Sequence, residues 1–415
     1  MHRLEGAVRS YAWGSRTAIA TLCGRTVPSD HPEAELWFGA HPADPARVID
    51  DGQGSMSLLE LLDEDPPAQL GDEIVERFGP RLPFLLKLLA AEEPLSLQAH
   101  PSAAQAAQGY AREEALGVPL DSPVRNYRDP NHKPELVVAL TRFEALAGFR
   151  DAARTVELLE ALPVPELEPY VGLLAGQPDS DGLRALFTTW ITLPAQALSA
   201  LVPRVLDGCV TYLATGGDAP REFVAEVRTA LQLAEIYPGD AGVLGSLLLN
   251  RITLEPGQGL YLDAGNLHAY LHGMGIEIMA NSDNVLRGGL TPKHVDVPEL
   301  LRVLDFGAPG VPILEADPVG PYEWRYRAPA PEFALSRLEL GAGDAVSLAP
   351  CGPQIMLCTS GSATVECGGE SIELGPGRSV WLPASDPKLE IRAGDADVQV
   401  FRARLGDDAD GQFMS

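Results

Sequence analysis

Apolar residues along this chain follow two distinct patterns. From the N-terminus to about residue 150, and again from Gly242 onward, short apolar runs alternate with Gly- and Pro-rich turns, which is typical of β-strands. Between these stretches, from residue 151 to about residue 236, apolar residues recur at positions i, i+3, i+4 and i+7, and this periodicity predicts four or five helices. The chain is therefore predicted to be mainly β with an α-helical insertion.

Several apolar runs in the first stretch predict individual elements. Ala46–Ile49, Leu95–Ala99 and Glu135–Leu140 lie between turn residues and predict strands. Leu58–Leu62 and Leu82–Leu89 are interpreted as helices. A lysine interrupts the second of these, and no run reaches the roughly 18–20 apolar residues of a transmembrane helix.

A weak internal repeat indicates how these strands are arranged. Leu254–Gly265 and Leu374–Ser385 align without gaps, and each contains a Pro-Gly turn, a short apolar strand and a second turn. Small jelly-roll barrels of the cupin type repeat such units, and His268 follows the first copy where a cupin carries a metal-binding histidine. Lys388 stands at that position after the second copy.

The predicted domains are residues 1–150 and 241–322 as two parts of a catalytic cupin domain, residues 151–240 as a helical insertion domain, and residues 323–415 as a degenerate cupin-like C-terminal domain.

Composition excludes several classes of protein. The 415 residues include 31 Lys+Arg and 58 Asp+Glu, a formal net charge of −27, which argues against nucleic-acid and anionic-membrane partners. Because 45% of the residues are hydrophobic and 21% charged, a disordered acidic chain is excluded. The five cysteines are scattered without a CxxC pair, and the first residues lack the apolar region of a signal peptide. We therefore expect a reduced, cytoplasmic protein.

Four residues form a potential metal-ligand set. In a strand, residues i and i+2 face the same side, so Gln98 and His100 of SLQAHP point together. Glu135 begins an apolar strand after the polar string YRDPNHKP, and His268 follows a glycine turn. Two imidazoles, a carboxylate and an amide oxygen suit Zn²⁺ or another borderline divalent ion. The absence of a thiolate, with room for a water or a substrate oxygen, is typical of a catalytic site.

Other groups capable of chemistry lie in the same motifs. His132 and Lys133 precede the carboxylate ligand, and Glu277 alternates with isoleucines in IEIM, so that it faces away from the core. Arg287 lies in a polar loop with two glycines, and its planar guanidinium suits phosphate or an enediolate oxygen. Three other histidines are interpreted as incidental, namely His2, His31 and His41.

Seven motifs carry a specific resemblance: YAWGS (Tyr11–Ser15), AELWFGAHP (Ala34–Pro42), LPFLLKLL (Leu82–Leu89), LSLQAHP (Leu95–Pro101), NHKPELVVALTRFEALAGFR (Asn131–Arg150), LHAYLHG (Leu267–Gly273) and IEIMANSDNVLRGGLTPKHVD (Ile276–Asp296). In order and spacing they resemble type I mannose-6-phosphate isomerases, from about residue 8 to about residue 300. The helical stretch and the C-terminal part match in position only. Ala99 departs from the family pattern, and Ser102–Ala103 replaces a common Asp-Lys, which puts one phosphate contact in doubt.

The resemblance implies a zinc enzyme that interconverts mannose 6-phosphate and fructose 6-phosphate, with one zinc ion per chain and a family that is often monomeric. By motif position, the zinc ligands fall on the four residues chosen above. The catalytic arginine of the family falls on Arg287. The positions that line its substrate pocket fall on Trp13, Lys87, Ser96, Lys133, Tyr270, Glu277 and Lys293.

The implied chemistry moves a proton between C2 and C1 through a cis-enediol. Zinc and the charge of Arg287 would stabilise the oxygens on which negative charge develops. Glu277, His132, Lys133 and a zinc-bound water are candidates for the base, with Glu277 preferred and Lys133 handling hydroxyl protons. Two alternatives stay open, a cupin iron oxygenase, which also uses two histidines and a carboxylate, and a non-catalytic sugar-binding cupin.

Overall fold

The structure is a computed structural model that describes residues 1–50, 54–215, 222–308 and 310–406. These residues form sheets of eleven, nine and four strands, and a helical region is inserted between two strands of the largest sheet. The predicted fold class, mainly β with an α-helical insertion, is confirmed. Residues 407–415, the end of the predicted C-terminal domain, lie outside the described part of the chain.

The first 150 residues contain mostly short strands and helices. The strands are β1 (His2–Glu5), β2 (Ala7–Arg9), β3 (Glu35–Phe38), β4 (Arg47–Asp50), β5 (Gly54–Ser57), β6 (Phe84–Ala91), β7 (Leu97–Ala99), β8 (Glu135–Ala139) and β9 (Phe143–Phe149). The helices are α1 (Ala18–Leu22), α2 (Leu58–Glu64), α3 (Pro66–Leu70), α4 (Asp72–Phe78) and α5 (Ala103–Ala115). The three predicted strands and the helix predicted at residues 58–62 are confirmed.

The helix predicted at Leu82–Leu89 is wrong, because this run forms strand β6. Strand β6 pairs with a neighbour on each side, and every one of its residues is buried. A strand covered on both faces reads as a continuous apolar run, so its periodicity does not distinguish it from a buried helix.

The helical region contains the predicted helices. It comprises a short 3-10 turn (Pro165–Leu167) and the helices α6 (Ala152–Ala161), α7 (Glu168–Gly176), α8 (Ser180–Ile191), α9 (Ala195–Ala214), α10 (Val224–Ile236) and α11 (Gly242–Ser246). By length and composition alone, α9 could cross a membrane, which the sequence reading did not anticipate. One helix of this kind is weak evidence, and α9 places Leu201, Val205 and Cys209 in the apolar core of the helical region.

The remaining chain returns to strands. It comprises one helix, α12 (Val297–Val303), and the strands β10 (Leu249–Leu254), β11 (Gly259–Leu262), β12 (His268–Ala280), β13 (Leu286–Gly289), β14 (Ile313–Leu314), β15 (Asp317–Pro318), β16 (Glu323–Tyr326), β17 (Ala334–Leu340), β18 (Ala345–Leu348), β19 (Gln354–Ser360), β20 (Ala363–Cys367), β21 (Glu370–Leu374), β22 (Ser379–Leu382), β23 (Leu389–Ala393) and β24 (Val398–Arg404). All strand pairs in the three sheets are antiparallel.

Strand β12 joins the two halves of the eleven-stranded sheet. Its first half pairs with β7 and β9, whereas its second half, from Gly273, pairs with β6 and β8. Gly273 has a φ of 123°, and a Cβ there would lie 2.6 Å from the carbonyl oxygen of Arg142. The change of partners at this glycine brings the starts of β8 and β12 and the end of β7 to one place.

The nine-stranded sheet combines both ends of the chain. Its order is β15-β16-β17-β24-β19-β22-β1-β4-β5, so β1 lies between a C-terminal strand and β4. The segments 1–150 and 323–415, separate in the predicted domain division, therefore share a sheet, and the division itself stays a prediction.

The two faces of strands β6, β8 and β12 have different surroundings. Leu86 and Ile278 face the nine-stranded sheet and join a core that contains Ile355 and Trp381. The opposite face of β6, β8 and β12 carries charged residues and points into the barrel that these strands help to form.

The two repeat copies have the same succession of strand and turn. Gly257 and Gly377 occupy corresponding turns with φ values of 90° and 76°. In the second copy, the barrel interior is filled by aliphatic residues such as Val365, Val380 and Val400. The exposed Lys388 lies outside this core, so the described C-terminal barrel has no counterpart to the histidine of the first copy.

Candidate metal centre and active site

Three buried side chains converge inside the first barrel. His100 follows β7, Glu135 begins β8 and His268 begins β12. Their ligand atoms lie within 4.8 Å of one another. Glu135 Oε2 is 3.3 Å from His100 Nε2 and 3.4 Å from His268 Nε2. Two imidazole nitrogens and one carboxylate oxygen in this arrangement suit a divalent ion such as zinc.

Backbone carbonyls orient both imidazoles. His100 Nδ1 lies 2.7 Å from the carbonyl oxygen of Asn284, and His268 Nδ1 lies 3.0 Å from that of Asn266. Because a carbonyl only accepts hydrogen bonds, each Nδ1 carries the proton and each Nε2 keeps a lone pair. Burial also lowers the pKa of His100 to about 4, so that this ring is neutral, as a metal ligand must be.

The ligand atoms themselves are unsatisfied. Among the described residues, His100 Nε2, His268 Nε2 and Glu135 Oε2 are buried without a hydrogen-bond partner. Leaving such an atom unpaired costs about 1–3 kcal/mol. One cation would satisfy all three atoms at once, so the residues present fit a metal ion.

Lys133 completes the charge balance at this centre. Its Nζ lies 3.1 Å from Glu135 Oε1, the oxygen that does not face the histidines. Although burial opposes ionisation of Glu135, the charge of Lys133 holds its pKa well below the usual value. The carboxylate is therefore ionised and available to a metal.

Gln98 lies between the metal centre and Arg287. It is the Cα partner of His268 on β12 and of Arg287 on β13. Directly opposed residues in antiparallel strands face the same side, so the three side chains share one face of the sheet. Ser96 and His100 flank Gln98 at the two-residue spacing that keeps them on this face. The roles of Gln98 as fourth ligand and of Ser96 as a substrate contact stay predictions.

A buried row of charged groups lies beside the centre. Lys87 and Glu277 are directly opposed on β6 and β12, and Lys87 Nζ lies 2.8 Å from Glu277 Oε2. Lys87 also lies 3.3 Å from Glu35 Oε1, and the Tyr270 hydroxyl donates to Glu277 Oε1 at 2.8 Å. Burial opposes the charge of Lys87, but Glu277 and Glu35 raise its pKa. Burial raises the pKa of Glu277 as well.

Strand register connects this row to the metal ligands. Glu277 faces Val137 across β12 and β8, and Glu135 lies two residues before Val137. Glu135 and Glu277 therefore project from the same sheet face on adjacent strands. Tyr270, two residues after His268, has its ring centroid 6.1 Å from that imidazole. Trp13 packs against the apolar cluster to which Tyr270 belongs.

Three cations lie near one another at the other side of the centre. Burial lowers the pKa of Arg287, and so does the charge of Arg128. The pKa of Lys293 is lowered by burial and by both arginines. None of the three forms a salt bridge with a carboxylate among the described residues, but the pKa of Asp283 is lowered by its contact with His41 and, to a smaller extent, by the charge of Arg128. Unbalanced positive charge within a folded, acidic chain is typical of an anion site.

Several residues near the site were not assigned from the sequence. Arg128 is one of them. His41, interpreted as incidental, is buried, and its Nε2 lies 3.3 Å from Asp283 Oδ1, so it has a structural contact that the sequence did not indicate. Asn284 is fully buried, and its side-chain amide donates to the carbonyls of Asp129 and Asn131 at 2.7 and 2.8 Å. His41 and Asn284 fall within the motifs and Arg128 lies just before one, but their contacts join segments far apart in the chain.

Ser102 has a structural role in place of the missing phosphate contact. Its hydroxyl accepts from the backbone N–H of Gln105, and the Gln105 side chain accepts from the backbone N–H of Ser102. This reciprocal cap begins helix α5 directly after the His100–Pro101 turn. The departure from the family pattern therefore stabilises a helix next to a candidate metal ligand.

His132 points away from the centre. Its Nε2 lies 2.7 Å from Glu332 Oε1, and this hydrogen bond raises the pKa of His132, with a smaller contribution from Asp263. Because the pKa of His132 is higher in the folded state than in the unfolded state, the His132–Glu332 pair stabilises the folded state fully at pH values below the unfolded-state pKa of about 6.5. The contribution is lost as the pH rises through the folded-state value.

We therefore expect Glu332→Gln to lower stability at pH 6 by about 0.5–1 kcal/mol and at pH 9 by much less. Urea unfolding at both pH values measures the difference. Glu339→Gln is the control, because Glu339 pairs with Arg337 at 2.9 Å and an arginine does not titrate in this range. Equal losses at both pH values for Glu332→Gln would contradict the assignment.

Sequence and structure comparisons extend the resemblance to the whole chain. Residues 1–152 match the family described as phosphomannose isomerase type I, catalytic domain. The chain is 38% identical to the mannose-6-phosphate isomerase of Escherichia coli K12 over 402 residues, 97% of this chain and 99% of that protein. Its identity to the mannose-6-phosphate isomerase of Homo sapiens is 32% over 443 residues, 96% of this chain and 97% of that protein.

Solved structures agree with these matches. A mutant phosphomannose isomerase from Salmonella typhimurium aligns with a TM-score of 0.87 and 35% identity, covering 98% of this chain and 100% of that one. A zinc-bound mannose 6-phosphate isomerase aligns with a TM-score of 0.86 and 35% identity, covering 98% and 99%. The similarity thus includes the helical region and the C-terminal barrel, which the motifs matched in position only.

Proposed function

This chain belongs to the mannose-6-phosphate isomerase family and is a zinc-dependent aldose–ketose isomerase, and we propose that its reaction takes place at the centre formed by His100, Glu135 and His268. The observation that carries this assignment is the set of three buried, unpartnered ligand atoms inside the barrel. Gln98 is proposed as the fourth ligand, on the support of its register with His268. When bound, zinc supplies Lewis-acid stabilisation of the substrate oxygens between which the proton moves.

The alternatives have no support from the chain or its relatives. The relatives that match over nearly the whole chain are isomerases by name. An iron oxygenase would also have no need of the three cations Arg128, Arg287 and Lys293. In the C-terminal barrel, aliphatic side chains occupy the described interior where the first barrel carries its candidate metal ligands.

Arg287 is proposed to stabilise the cis-enediol. Arg287 lies near the start of β13, opposite Gln98, on the sheet face that carries His268. Negative charge develops on the substrate oxygens as the proton leaves carbon, and a positive group held there in advance lowers the barrier.

Glu277 and Lys133 are proposed to transfer protons. Lys87 and Tyr270 hold the two carboxylate oxygens of Glu277 in place, and burial raises the pKa of Glu277 toward the range in which a general base works best. Lys133 contacts a metal ligand and is assigned the hydroxyl protons. His132 receives no role, because its contact with Glu332 directs it toward β17.

The phosphate of the substrate is proposed to bind near Lys293, Arg287 and Arg128, with Ser96 at the edge of the same face. The support is the mutual proximity of three cations, none of which forms a salt bridge with a carboxylate in the described region, although Asp283 lies close enough to feel the charge of Arg128. A sugar phosphate carries up to two negative charges, which this cluster would balance. The substrate pocket would further include Trp13, against which the sugar packs.

Replacement of Arg128 by alanine is expected to raise the KM for fructose 6-phosphate about tenfold or more, because a hydrogen bond to a charged group contributes about 1.5–3 kcal/mol. The kcat should change little. Steady-state kinetics measure both constants, and Arg327→Ala, an exposed arginine paired with Asp317, is the control. An unchanged KM would remove Arg128 from the phosphate site.

The partner and compartment assignments are proposals as well. A small sugar phosphate is the substrate, and the charge of −27 argues against nucleic acid or a membrane as a partner. All five cysteines are unpaired, as expected in a reducing cytoplasm. Light scattering of the purified chain tests the proposed monomer.

The activity itself is tested by a coupled assay that detects fructose 6-phosphate formed from mannose 6-phosphate by the zinc-loaded chain. Isomerisation that disappears on chelation and returns with zinc supports the proposal. A chain that contains iron and consumes oxygen without isomerising the sugar would overturn it.

A further inference from the structure

The segment that carries Arg287 and Lys293 has a strained backbone. A β-bulge interrupts the pairing of β13 with β7 between Arg287 and Gly289. Gly289 has a φ of 122°, and Leu290 is the one described non-glycine residue with a positive φ, 55°. A bulky residue in this conformation costs about 1–3 kcal/mol and persists only where its surroundings impose it.

Asp240 provides the hydrogen bonds that impose this conformation. It lies in the connection between α10 and α11, at the end of the helical region. Its Oδ1 accepts from the backbone N–H of Gly242 at 2.7 Å and of Leu290 at 2.9 Å. Its Oδ2 accepts from the backbone N–H of Thr291 at 3.2 Å. One carboxylate therefore holds the strained turn against the start of α11.

Close backbone packing fixes the distance between the two segments. A Cβ on Gly289 would lie 2.8 Å from Gly242 Cα, and a Cβ on Gly242 would lie 2.7 Å from the backbone nitrogen of Leu290. The Leu290 side chain is fully buried. The turn can therefore move only if α11 moves or the carboxylate contact breaks.

We propose that Asp240 is a positioning residue of the isomerase, which sets the direction of Arg287 and Lys293 by holding the turn between them. Each of the two cations is three residues from Leu290. On one side the bulge, a device that re-aims side chains, lies directly after Arg287. On the other side the Thr291 hydroxyl accepts from the backbone N–H of Lys293 at 3.1 Å and extends the constraint.

This inference rests on the proposed function, since it requires Arg287 to act on the substrate. It also gives the inserted helical region a part in catalysis, because Asp240 belongs to the connection that ends this region. Among the described residues, Asp240 makes no ion pair with the site cations, so its effect passes through the backbone.

The test compares Asp240→Ala and Asp240→Asn with a matched control. Asp179→Ala also removes a carboxylate of the helical region that accepts two backbone N–H bonds, from Asp181 at 2.9 Å and Gly182 at 3.1 Å, but it has no contact with the turn. We expect kcat/KM for fructose 6-phosphate to fall about 10²-fold in Asp240→Ala, because a displacement of about 1 Å at a reacting group has that effect. Asp240→Asn, which keeps one oxygen acceptor, should lose less, and Asp179→Ala should stay within about twofold. Zinc content should be unchanged in all three.

Hydrogen exchange separates positioning from general destabilisation. In the zinc-loaded full chain, the amides of Leu290 and Thr291 should exchange faster in Asp240→Ala than in the wild type, and at the wild-type rate in Asp179→Ala. Faster exchange of these amides with unchanged kinetics would overturn the proposal. Equal kinetic losses in Asp240→Ala and Asp179→Ala would overturn it too.

A further variant distinguishes the two levels of inference. If Arg287→Ala retains full activity, the proposed function of Arg287 fails and the positioning role fails with it. If Arg287→Ala is impaired while Asp240→Ala is fully active, only the positioning role fails.

Discussion

A His268→Ala variant is expected to lose its zinc and to lose isomerase activity by roughly 10³-fold or more, because the metal contributes several kcal/mol of transition-state stabilisation. His268 provides one of three ligand atoms that lie within 4.8 Å of one another. Its removal leaves His100 and Glu135 with an incomplete coordination shell in a buried position. Alanine also removes the imidazole whose Nδ1 contacts the Asn266 carbonyl at 3.0 Å and whose Nε2 faces the centre.

Metal analysis after dialysis and the coupled assay measure this result. The matched control is His272→Ala, which changes an exposed histidine four residues further along β12 and should keep both zinc and activity. Far-UV circular dichroism confirms that each variant is folded. A folded His268→Ala protein with full zinc occupancy and normal turnover would exclude His268 as a ligand.

An Arg287→Ala variant is expected to keep its zinc and lose about 10²–10³-fold in kcat, the usual effect of removing a group that stabilises developing negative charge. Arg287 lies across Gln98 from His268, outside the three-residue ligand cluster. Arg287→Lys should recover part of the loss, because lysine restores the charge but not the planar pair of donors.

The two variants test each other. Zinc loss is expected in His268→Ala and zinc retention in Arg287→Ala, so metal content measured beside kcat distinguishes ligand from charge-stabilising group. Loss of zinc from Arg287→Ala, or a normal kcat in the zinc-loaded variant, would contradict the role given to Arg287.

The residues of the candidate metal centre could be selected from the sequence because their positions depend on local regularities. Gln98 and His100 are two residues apart at a strand, and Glu135 and His268 each begin a strand after a turn, so each stretch of sequence indicates its own ligand. The resemblance of the motifs then combined these stretches into one site. The structure brings His100, Glu135 and His268 together. It places Gln98 directly opposite His268 on one neighbouring strand and Arg287 on the other.

The features that sequence reasoning missed depend on contacts between distant segments. Strand β6 reads as a helix because burial on both faces removes the alternation that identifies a strand. His41 contacts Asp283, and Asp240 contacts Leu290, and these residues are too far apart in the sequence for a periodic pattern to indicate the contact. The ion pair of Lys87 with Glu277 likewise requires the register of β6 and β12, which is a property of the assembled sheet.

The placement of β1 in the nine-stranded sheet has a consequence for synthesis of the chain. Strand β1 is synthesised long before its partner β22, since the hydrogen bond from the Ser379 hydroxyl to the Leu4 carbonyl, at 2.8 Å, spans 375 positions. Until then, β1 presents an unpaired strand edge, which invites pairing with other chains. This sheet can therefore be completed only after β22 has been synthesised, and slow, non-local pairing of this kind exposes a nascent chain to aggregation.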